Sequence, residues 1–283
     1  MLAPDSEFSL STGGVTLAGE QHGEGAAIVL LHGLTATRRY VVMGSRTLQR
    51  SGHRVISYDA RGHGRSSAAP ARAYGYEHLA ADLLAVLDAA GVEHALLAGA
   101  SMGAHTALRV ALEHPERVGA LALITPSFEP GAARSPQELA HWDALAAGLR
   151  GGGVEGFVEA YGLEGVPEAW RATTETVLRQ RLSAHEHPEA VADALEVVPR
   201  SDPFGDIDEL RAVSVPTLVV ASRDEADPGH PLAVGERYAH AIPGAELLVE
   251  DETPPAQPAR SPIAWQGGQL SRAIAGLAAR ARL

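Results

Sequence analysis

The chain has 283 residues, a formal net charge of −12 and a hydrophobic fraction of 45%. This length accommodates one large α/β domain with an insertion, or two small domains, and the hydrophobic content excludes a disordered chain. The negative charge argues against nucleic acid or an anionic membrane as a partner, and the absence of Cys excludes disulfides and thiolate nucleophiles.

The sequence shows no pattern for membrane insertion or export. No apolar run approaches the roughly 20 residues that a membrane span needs. The segment Met1–Gly14 has acidic residues early and lacks an apolar core, so it does not resemble a signal peptide. We therefore expect a cytoplasmic protein.

Short apolar runs that alternate with helical segments predict a mostly parallel sheet covered by helices. An opening pair of strands is predicted at Phe8–Ser11 and Val15–Gly19. The remaining predicted strands are Ala27–Leu31, Val55–Tyr58, Ala95–Ala98, Ala120–Ile124, Thr217–Val220 and Glu246–Val249.

The helices between and after these strands have readable boundaries. Apolar residues recur at helical spacing in Glu77–Ala90, and Gly91 supplies a C-terminal stop. A final helix is predicted at Gln269–Ala279. The stretch 128–210 breaks the alternation because it contains helical segments and no convincing strand. We interpret it as a helical cap inserted after the sixth strand, whose aromatic residues either line a pocket or pack between cap and core; they are Trp142, Phe157, Tyr161 and Trp170.

The strongest motif is Gly99-Ala100-Ser101-Met102-Gly103, which follows a predicted strand and opens a helix. A sharp turn in this context holds a Ser side chain above the sheet edge, and the flanking glycines permit close backbone approach. The helix N-terminus directs positive charge towards a developing oxyanion. The motif therefore predicts Ser101 as a nucleophile.

The second motif is His32-Gly33-Leu34, at the end of the strand Ala27–Leu31. Acyl transfer needs two backbone N–H donors for the oxyanion, one from the residue after the nucleophile and one from a loop after an earlier strand. These positions are Met102 and Leu34. We expect His32 to be a structural hydrogen-bonding residue beneath this loop rather than a proton carrier.

These motifs, together with the segment Asp59–Ser66 between them, resemble the α/β-hydrolase superfamily in order and spacing, and its esterase and lactonase-like members in particular. The resemblance implies an α/β-hydrolase core formed by residues 1–127 and 211–283, with the helical cap at 128–210. It also implies that the Asp59–Ser66 loop is chiefly structural, so no catalytic role follows for Asp59 or His63.

The resemblance further implies a catalytic acid in the loop after the seventh strand. Family members usually carry the acid four residues before a Pro that opens the next helix, which selects Asp227 ahead of Pro231. Counting from the end of the strand instead selects Asp224. We prefer Asp227, because the helix start is the better reference point.

The family's catalytic His, expected after the eighth strand, is missing, because no His follows His240. The expected position lies within 254–263. A Ser hydroxyl needs a base to remove its proton. As the base we favour His230, three residues beyond Asp227, over His105 and over the pair His185 and His187. The His185/His187 pair is also weak evidence for a metal site.

The sequence therefore predicts an α/β hydrolase that cleaves a carboxylic ester, thioester or lactone of a small, apolar molecule through an acyl-enzyme on Ser101. Two alternatives remain: a lyase or cyclase on the same scaffold, and a catalytically silent small-molecule binder. No cofactor and no metal is implied, and the only predicted partner is the small-molecule substrate, without nucleic acid or membrane. The sequence carries no signal for an oligomeric state.

Overall fold

A computed structural model describes residues 2–3, 5–70, 72–131, 134–223, 227, 229–249 and 267–283. Within these residues, eight strands form one sheet in the order β1-β2-β4-β3-β5-β6-β7-β8. Strand β2 pairs antiparallel with β1 and β4, and all pairings from β4 to β8 are parallel. The predicted α/β-hydrolase architecture, a mostly parallel sheet flanked by helices, is confirmed.

All eight strands coincide with predicted apolar runs, and several extend one to three residues beyond them. They are β1 (Ser6–Thr12), β2 (Val15–His22), β3 (Ala27–Leu31), β4 (Arg54–Tyr58), β5 (Ala95–Ala100), β6 (Val118–Ile124), β7 (Thr217–Ala221) and β8 (Glu246–Val249). The described helices are α1 (Thr47–Arg50), α2 (Tyr76–Ala90), α3 (Met102–Glu113), α4 (Pro136–Tyr161), α5 (Glu168–Leu182), α6 (Pro188–Val197), α7 (Leu232–Ala241) and α8 (Gly267–Ala281).

Helices cover both faces of the sheet because side chains alternate along each strand. In β3, Ile28 and Leu30 pack with the apolar residues of α1 and α8. Val29 and Leu31 belong to the larger core on the opposite face, which includes α2, α3 and α7. Burial on both sides explains why the central strands are continuous apolar runs instead of alternating sequences.

The segment between β6 and β7, residues 125–216, contains α4, α5 and α6 but no strand among its described residues, and we call it the helical insertion. A capping box starts α4: Glu138 N–H donates to Ser135 Oγ, and Ser135 N–H donates to the Glu138 carboxylate. Gly153, at φ 59°, kinks this helix. In the described part of the chain, no helix combines the length and apolarity needed to cross a membrane.

The turn from β5 into α3 brings backbone atoms together more closely than a side chain would permit. A Cβ added to Gly99 would lie 2.2 Å from the carbonyl carbon of Gly103. A Cβ added to Gly103 would lie 2.2 Å from the carbonyl oxygen of Leu31. Glycine at both positions therefore lets α3 start directly against β3 and β5.

We expect Gly103→Ala to lower the free energy of unfolding by about 2–3 kcal/mol or more, because its methyl group would overlap the rigid Leu31 backbone. Gly152→Ala is the matched control, since it also lies in a helix but has no neighbour within 4 Å of an added Cβ. This control is expected to be neutral or stabilising by up to about 1 kcal/mol. Urea unfolding of both variants measures the difference; equal stabilities would contradict the close-packing account.

Candidate active site

Ser101 lies at the carboxyl end of β5, immediately before α3. Its backbone adopts φ 51° and ψ −114°, a conformation that non-glycine residues seldom occupy and that functional sites often retain. Its N–H donates to the Ile124 carbonyl at 2.9 Å, which fixes the turn to the neighbouring strand β6. The side chain therefore projects from a backbone position held by the sheet itself.

A continuous chain of hydrogen bonds joins Ser101 to His230 and Asp227. His230 Nε2 lies 2.9 Å from Ser101 Oγ, and His230 Nδ1 lies 2.9 Å from Asp227 Oδ2. With the ring proton on Nδ1, that nitrogen donates to the carboxylate and Nε2 accepts from the Ser hydroxyl. This is the arrangement that a general base needs to take the hydroxyl proton.

The loop between β7 and α7 supplies both the imidazole and the carboxylate. His230 N–H donates to the Asp227 carbonyl at 3.1 Å, and Asp227 N–H donates to the Arg223 carbonyl at 3.0 Å. These backbone bonds turn the chain so that the two side chains, three positions apart, face each other. The competing acid Asp224 and the residue Pro228 lie outside the described residues, as does the segment 254–263 where the family's His is expected.

Two backbone N–H groups beside Ser101 have no acceptor within the part of the chain that the structure describes: those of Leu34 and Met102. Met102 is the first residue of α3, where the N–H groups of a helix lack intrahelical partners. The loop that carries Leu34 lies close to Ser101, since a Cβ on Gly33 would lie 3.5 Å from Ser101 Cβ. Both predicted oxyanion donors therefore remain available to a ligand.

The other candidate bases either form hydrogen bonds to other groups or are exposed. His105 Nδ1 lies 3.1 Å from Tyr76 Oη, and its Nε2 accepts from two backbone N–H groups at 3.2 Å. His185 Nδ1 accepts from Gly64 N–H at 2.8 Å, and its Nε2 lies 3.2 Å from the Thr35 carbonyl. Both rings are thus fully bonded. His187 is exposed at the start of α6, so it does not form a ligand pair with His185.

His32 has the structural role expected from the sequence. Its Nε2 accepts from Ala60 N–H at 2.9 Å, and its Nδ1 lies 2.8 Å from the Gly33 carbonyl. The neighbouring loop is also organised internally, because the Asp59 carboxylate accepts from the backbone N–H groups of Arg38 and Arg65. These bonds tie the loop after β3, which contacts Ser101, to the loop after β4.

A cavity of about 980 Å³ opens above Ser101, between the carboxyl edge of the sheet and the helical insertion. Asp227, His230 and Leu34 contribute to its walls on the sheet side. All four aromatic residues singled out in the insertion contribute on the other side: Trp142, Phe157, Tyr161 and Trp170. Cavities of this size and mixed character are typical of small-molecule sites.

Sequence comparison agrees with the fold. The family model for the alpha/beta hydrolase fold matches residues 26–161. The chain is 34% identical over 211 residues to RutD of Variovorax paradoxus, a protein whose name assigns it to carbamate hydrolysis; the match covers 73% of this chain and 77% of that protein. The chain belongs to the α/β-hydrolase family.

Two further relatives of this α/β hydrolase cover most of its length. It is 31% identical over 235 residues to 2-hydroxy-6-oxononadienedioate/2-hydroxy-6-oxononatrienedioate hydrolase 2 of Pseudomonas putida, covering 80% of each chain. A thermophilic esterase from Thermogutta terrifontis, with malate bound, superposes with a TM-score of 0.76 at 27% identity and covers 98% of this chain and 100% of its own. These names support hydrolase activity.

Besides Glu138 in α4, sequence reasoning missed a second charged residue that lines the cavity, Arg181 in α5. It lies eleven residues after Trp170, which is three turns of helix, and therefore on the same helical face. That spacing was available in the sequence. Which face of α5 turns inwards depends on the packing of the insertion, and the weak amphipathicity of this polar helix gave no indication of it.

The buried histidines make the stability of the α/β hydrolase depend on pH. Burial lowers the pKa of His32 and of His105 to about 3, and that of His185 to about 4. In the unfolded chain an imidazole titrates near 6.5, so unfolding takes up protons below that pH. The stability they contribute is therefore complete above about pH 6.5 and is lost as the pH falls towards 4.

We expect the free energy of unfolding to fall by about 1.4 kcal/mol per pH unit for each of these histidines between about pH 6 and pH 4.5. Urea unfolding at a series of pH values measures the slope. His185→Asn removes one of the three titrating rings, so its slope should be shallower by one histidine's share, whatever its stability at pH 7. An unchanged slope would contradict the assignment.

Proposed function

We propose that this protein is a serine hydrolase that cleaves a carboxylic ester, thioester or lactone through an acyl-enzyme on Ser101. The observation that carries the proposal is the hydrogen-bond chain from Asp227 through His230 to Ser101, with 2.9 Å at each step. A silent binding protein would have no reason to keep a base aligned with a half-buried hydroxyl in a strained turn. The hydrolase names of the relatives favour hydrolysis over the lyase and cyclase alternatives.

The proposed reaction begins when Ser101 Oγ attacks the substrate carbonyl and its proton passes to His230 Nε2. The imidazolium that forms is stabilised by the Asp227 carboxylate, to which Nδ1 donates. The tetrahedral oxyanion is held by the N–H groups of Leu34 and Met102, aided by the N-terminus of α3.

In the second half of the cycle, His230 gives its proton to the departing alkoxide or thiolate, leaving the acyl group on Ser101. A water molecule then enters, and His230 Nε2 takes its proton while the oxygen attacks the acyl carbonyl. When this second tetrahedral intermediate collapses, the bond between the acyl carbon and Ser101 Oγ breaks, His230 returns the proton to that oxygen, and the carboxylic acid leaves. In each half of the cycle, His230 therefore first accepts a proton as a base and then donates it as an acid. Carbamates also present a carbonyl to such a site, and the RutD relative supports them as a second substrate class.

We expect Ser101→Ala to reduce turnover of p-nitrophenyl esters about a million-fold, and His230→Gln to cause a loss of at least about a thousand-fold, since the nucleophile and its base act as a unit. Steady-state hydrolysis of p-nitrophenyl butyrate by both variants measures the losses. A fluorophosphonate probe should label Ser101 in the parent and much more slowly in His230→Gln, because labelling requires an activated hydroxyl.

His240→Gln is the matched control for the base, since His240 is exposed on α7 away from the cavity. It should retain the activity of the parent within about twofold, as is usual for an isolated surface substitution. If His230→Gln behaved like this control at equal purity, His230 would be removed from the mechanism.

We further propose that the helical insertion acts as the predicted cap and limits the size of the substrate. Support comes from α4 and α5, whose residues line the cavity opposite Ser101, including Leu145, Phe157 and Val177. Their apolar surface suits the acyl or alcohol chain of a largely apolar molecule. The reacting carbonyl would then lie at the sheet edge and the remainder of the molecule against the insertion.

Val177→Trp should narrow the cavity and discriminate against long chains. We expect the ratio of kcat/KM for p-nitrophenyl octanoate to that for p-nitrophenyl acetate to fall at least about tenfold, which corresponds to about 1.4 kcal/mol of lost binding in the transition state. Ala172→Trp, on the exposed side of the same helix, is the control and should leave the ratio unchanged. An unaltered ratio in Val177→Trp would contradict the cap.

A further inference from the structure

Helix α5 presents an unusual set of polar groups to the cavity. Three of its side chains have a buried nitrogen or oxygen with no hydrogen-bond partner among the described residues: Trp170 Nε1, Thr174 Oγ1 and Arg181 Nε. All three side chains line the cavity that also contains Ser101 and His230. The cluster is therefore separate from the hydrogen-bond chain of Ser101 but lines the same cavity.

The spacing of these residues follows the helix. Positions 170, 174 and 181 are separated by four and seven residues, so they lie on one face of α5 over three turns. Val177 and Leu178 lie between them on that face and also line the cavity. The cavity-lining face of α5 therefore has polar groups at both ends and two apolar side chains between Thr174 and Arg181.

The guanidinium of Arg181 has no hydrogen bond or ion pair within the described residues. The guanidinium carbon lies 5.5 Å from the ring centre of Tyr40. Burial lowers the pKa of Arg181, against smaller opposing effects of Tyr40, Asp227 and Tyr161. The guanidinium is therefore partly shielded from solvent at Nε, and the carboxylate of Asp227 acts on its charge only from beyond ion-pair distance.

The other described arginines of the helical insertion all have partners. Arg150 and Arg179 bind carboxylates of neighbouring helices, and Arg171 donates to two backbone carbonyls. Arg134 and Arg200 form ion pairs with Asp202 and Asp143. The lack of a partner is thus particular to Arg181, the arginine that lines the cavity.

Leaving buried polar groups unpaired costs about 1–3 kcal/mol each, and more for a charged group, so native structures retain them for a reason. The missing partner must accept hydrogen bonds, because the indole and the guanidinium only donate. It must also be anionic to offset the guanidinium charge. Among planar acceptors, a carboxylate matches the guanidinium with two parallel hydrogen bonds.

We propose that the α5 face built on Arg181 binds a carboxylate of the substrate, with Trp170 and Thr174 as additional hydrogen-bonding groups. The inference rests on the proposed function and narrows its substrate class to esters, thioesters or lactones that have an apolar chain ending in a carboxylate. A monoanion fits better than a phosphate dianion, because the carboxylates of Asp227 and Glu138 also line the cavity.

Matched pairs of esters test this proposal. p-Nitrophenyl hydrogen adipate and hydrogen pimelate carry a terminal carboxylate, whereas p-nitrophenyl hexanoate and heptanoate have the same chain lengths without one. In the parent we expect kcat/KM to favour the acidic member of at least one pair, chiefly through KM. In Arg181→Gln the acidic-to-neutral ratio should fall at least tenfold. Partial misfolding of a variant would lower the apparent kcat/KM of both esters by the same factor, so it does not affect their ratio.

Arg179→Gln is the matched control, since it removes the same charge from the same helix at a position paired with Glu155 and Glu175. Its ratio should equal that of the parent. Thr174→Val removes a hydroxyl with little change of shape and should lower the ratio several-fold. Equal ratios in the parent and Arg181→Gln, or an equal fall in both arginine variants, would overturn the carboxylate site.

Direct binding separates this inference from the proposed function. Adipate and hexanoate are titrated into the parent, Arg181→Gln and Arg179→Gln by calorimetry. Stronger binding of adipate that is lost only in Arg181→Gln supports the carboxylate site even if no ester is hydrolysed, in which case the proposed function fails alone. Hydrolysis of both ester types without Arg181-dependent binding or preference overturns the carboxylate site and leaves the proposed function intact.

The stability of Arg181→Gln provides a further check against a purely structural role. A desolvated charge without a partner does not stabilise the fold, so Tm should stay within about 2 °C of the parent value or exceed it. A fall in Tm well beyond that of Arg179→Gln, with the ester ratio unchanged, would show that Arg181 supports packing instead of binding a carboxylate.

Discussion

The close approach of backbone atoms where β5 turns into α3 is the constraint on which the candidate site depends. Because Gly99 and Gly103 have no side chains, α3 can begin within contact of β3, and Ser101 is left at the tip with a positive φ. The hydrogen bond from Ser101 N–H to the Ile124 carbonyl holds the same turn to β6. The position of Ser101 is thus a property of the sheet and not of a flexible loop.

The loops around this turn are held by histidines in their neutral form. His32 ties the Gly33 loop to Ala60, and His185 ties the helical insertion to the backbone at Gly64 and Thr35. A neutral imidazole has one donor and one acceptor, so it can bridge an N–H and a carbonyl that no charged side chain would satisfy together. Because these imidazoles are neutral in the folded protein, the stability of the loops around the site falls at low pH.

Much of the architecture could be predicted from the sequence, because buried strands leave continuous apolar runs. Each of the eight predicted strands is present, as are the helices at Glu77–Ala90 and Gln269–Ala279 within slightly wider bounds. The turn at Ser101 was predictable because its glycines are a local requirement. The closeness of His230 to Asp227 followed from their spacing, whereas its 2.9 Å distance to Ser101 depends on how β7 lies relative to β5.

Other features could not be predicted, because they arise from contacts between residues distant in the sequence. His185 binds Gly64 across 121 positions, and nothing in the local sequence of either indicates the other. The orientation of α5, and with it the unpaired state of Arg181, is set by packing within the insertion. A charged side chain is normally expected to be solvated or paired. An unpaired one is therefore recognised only when its surroundings in the structure are known.

The location of Asp227 and His230 on one loop has a consequence for the order of folding. Residues three positions apart meet at almost no cost in loop-closure entropy, so the carboxylate–imidazole pair requires only a local turn. The single long closure is the one between His230 and Ser101, which spans 129 positions. The contact between His230 and Asp227 therefore costs little more entropy than a turn of helix. Only the contact between His230 and Ser101 depends on the topology of the sheet.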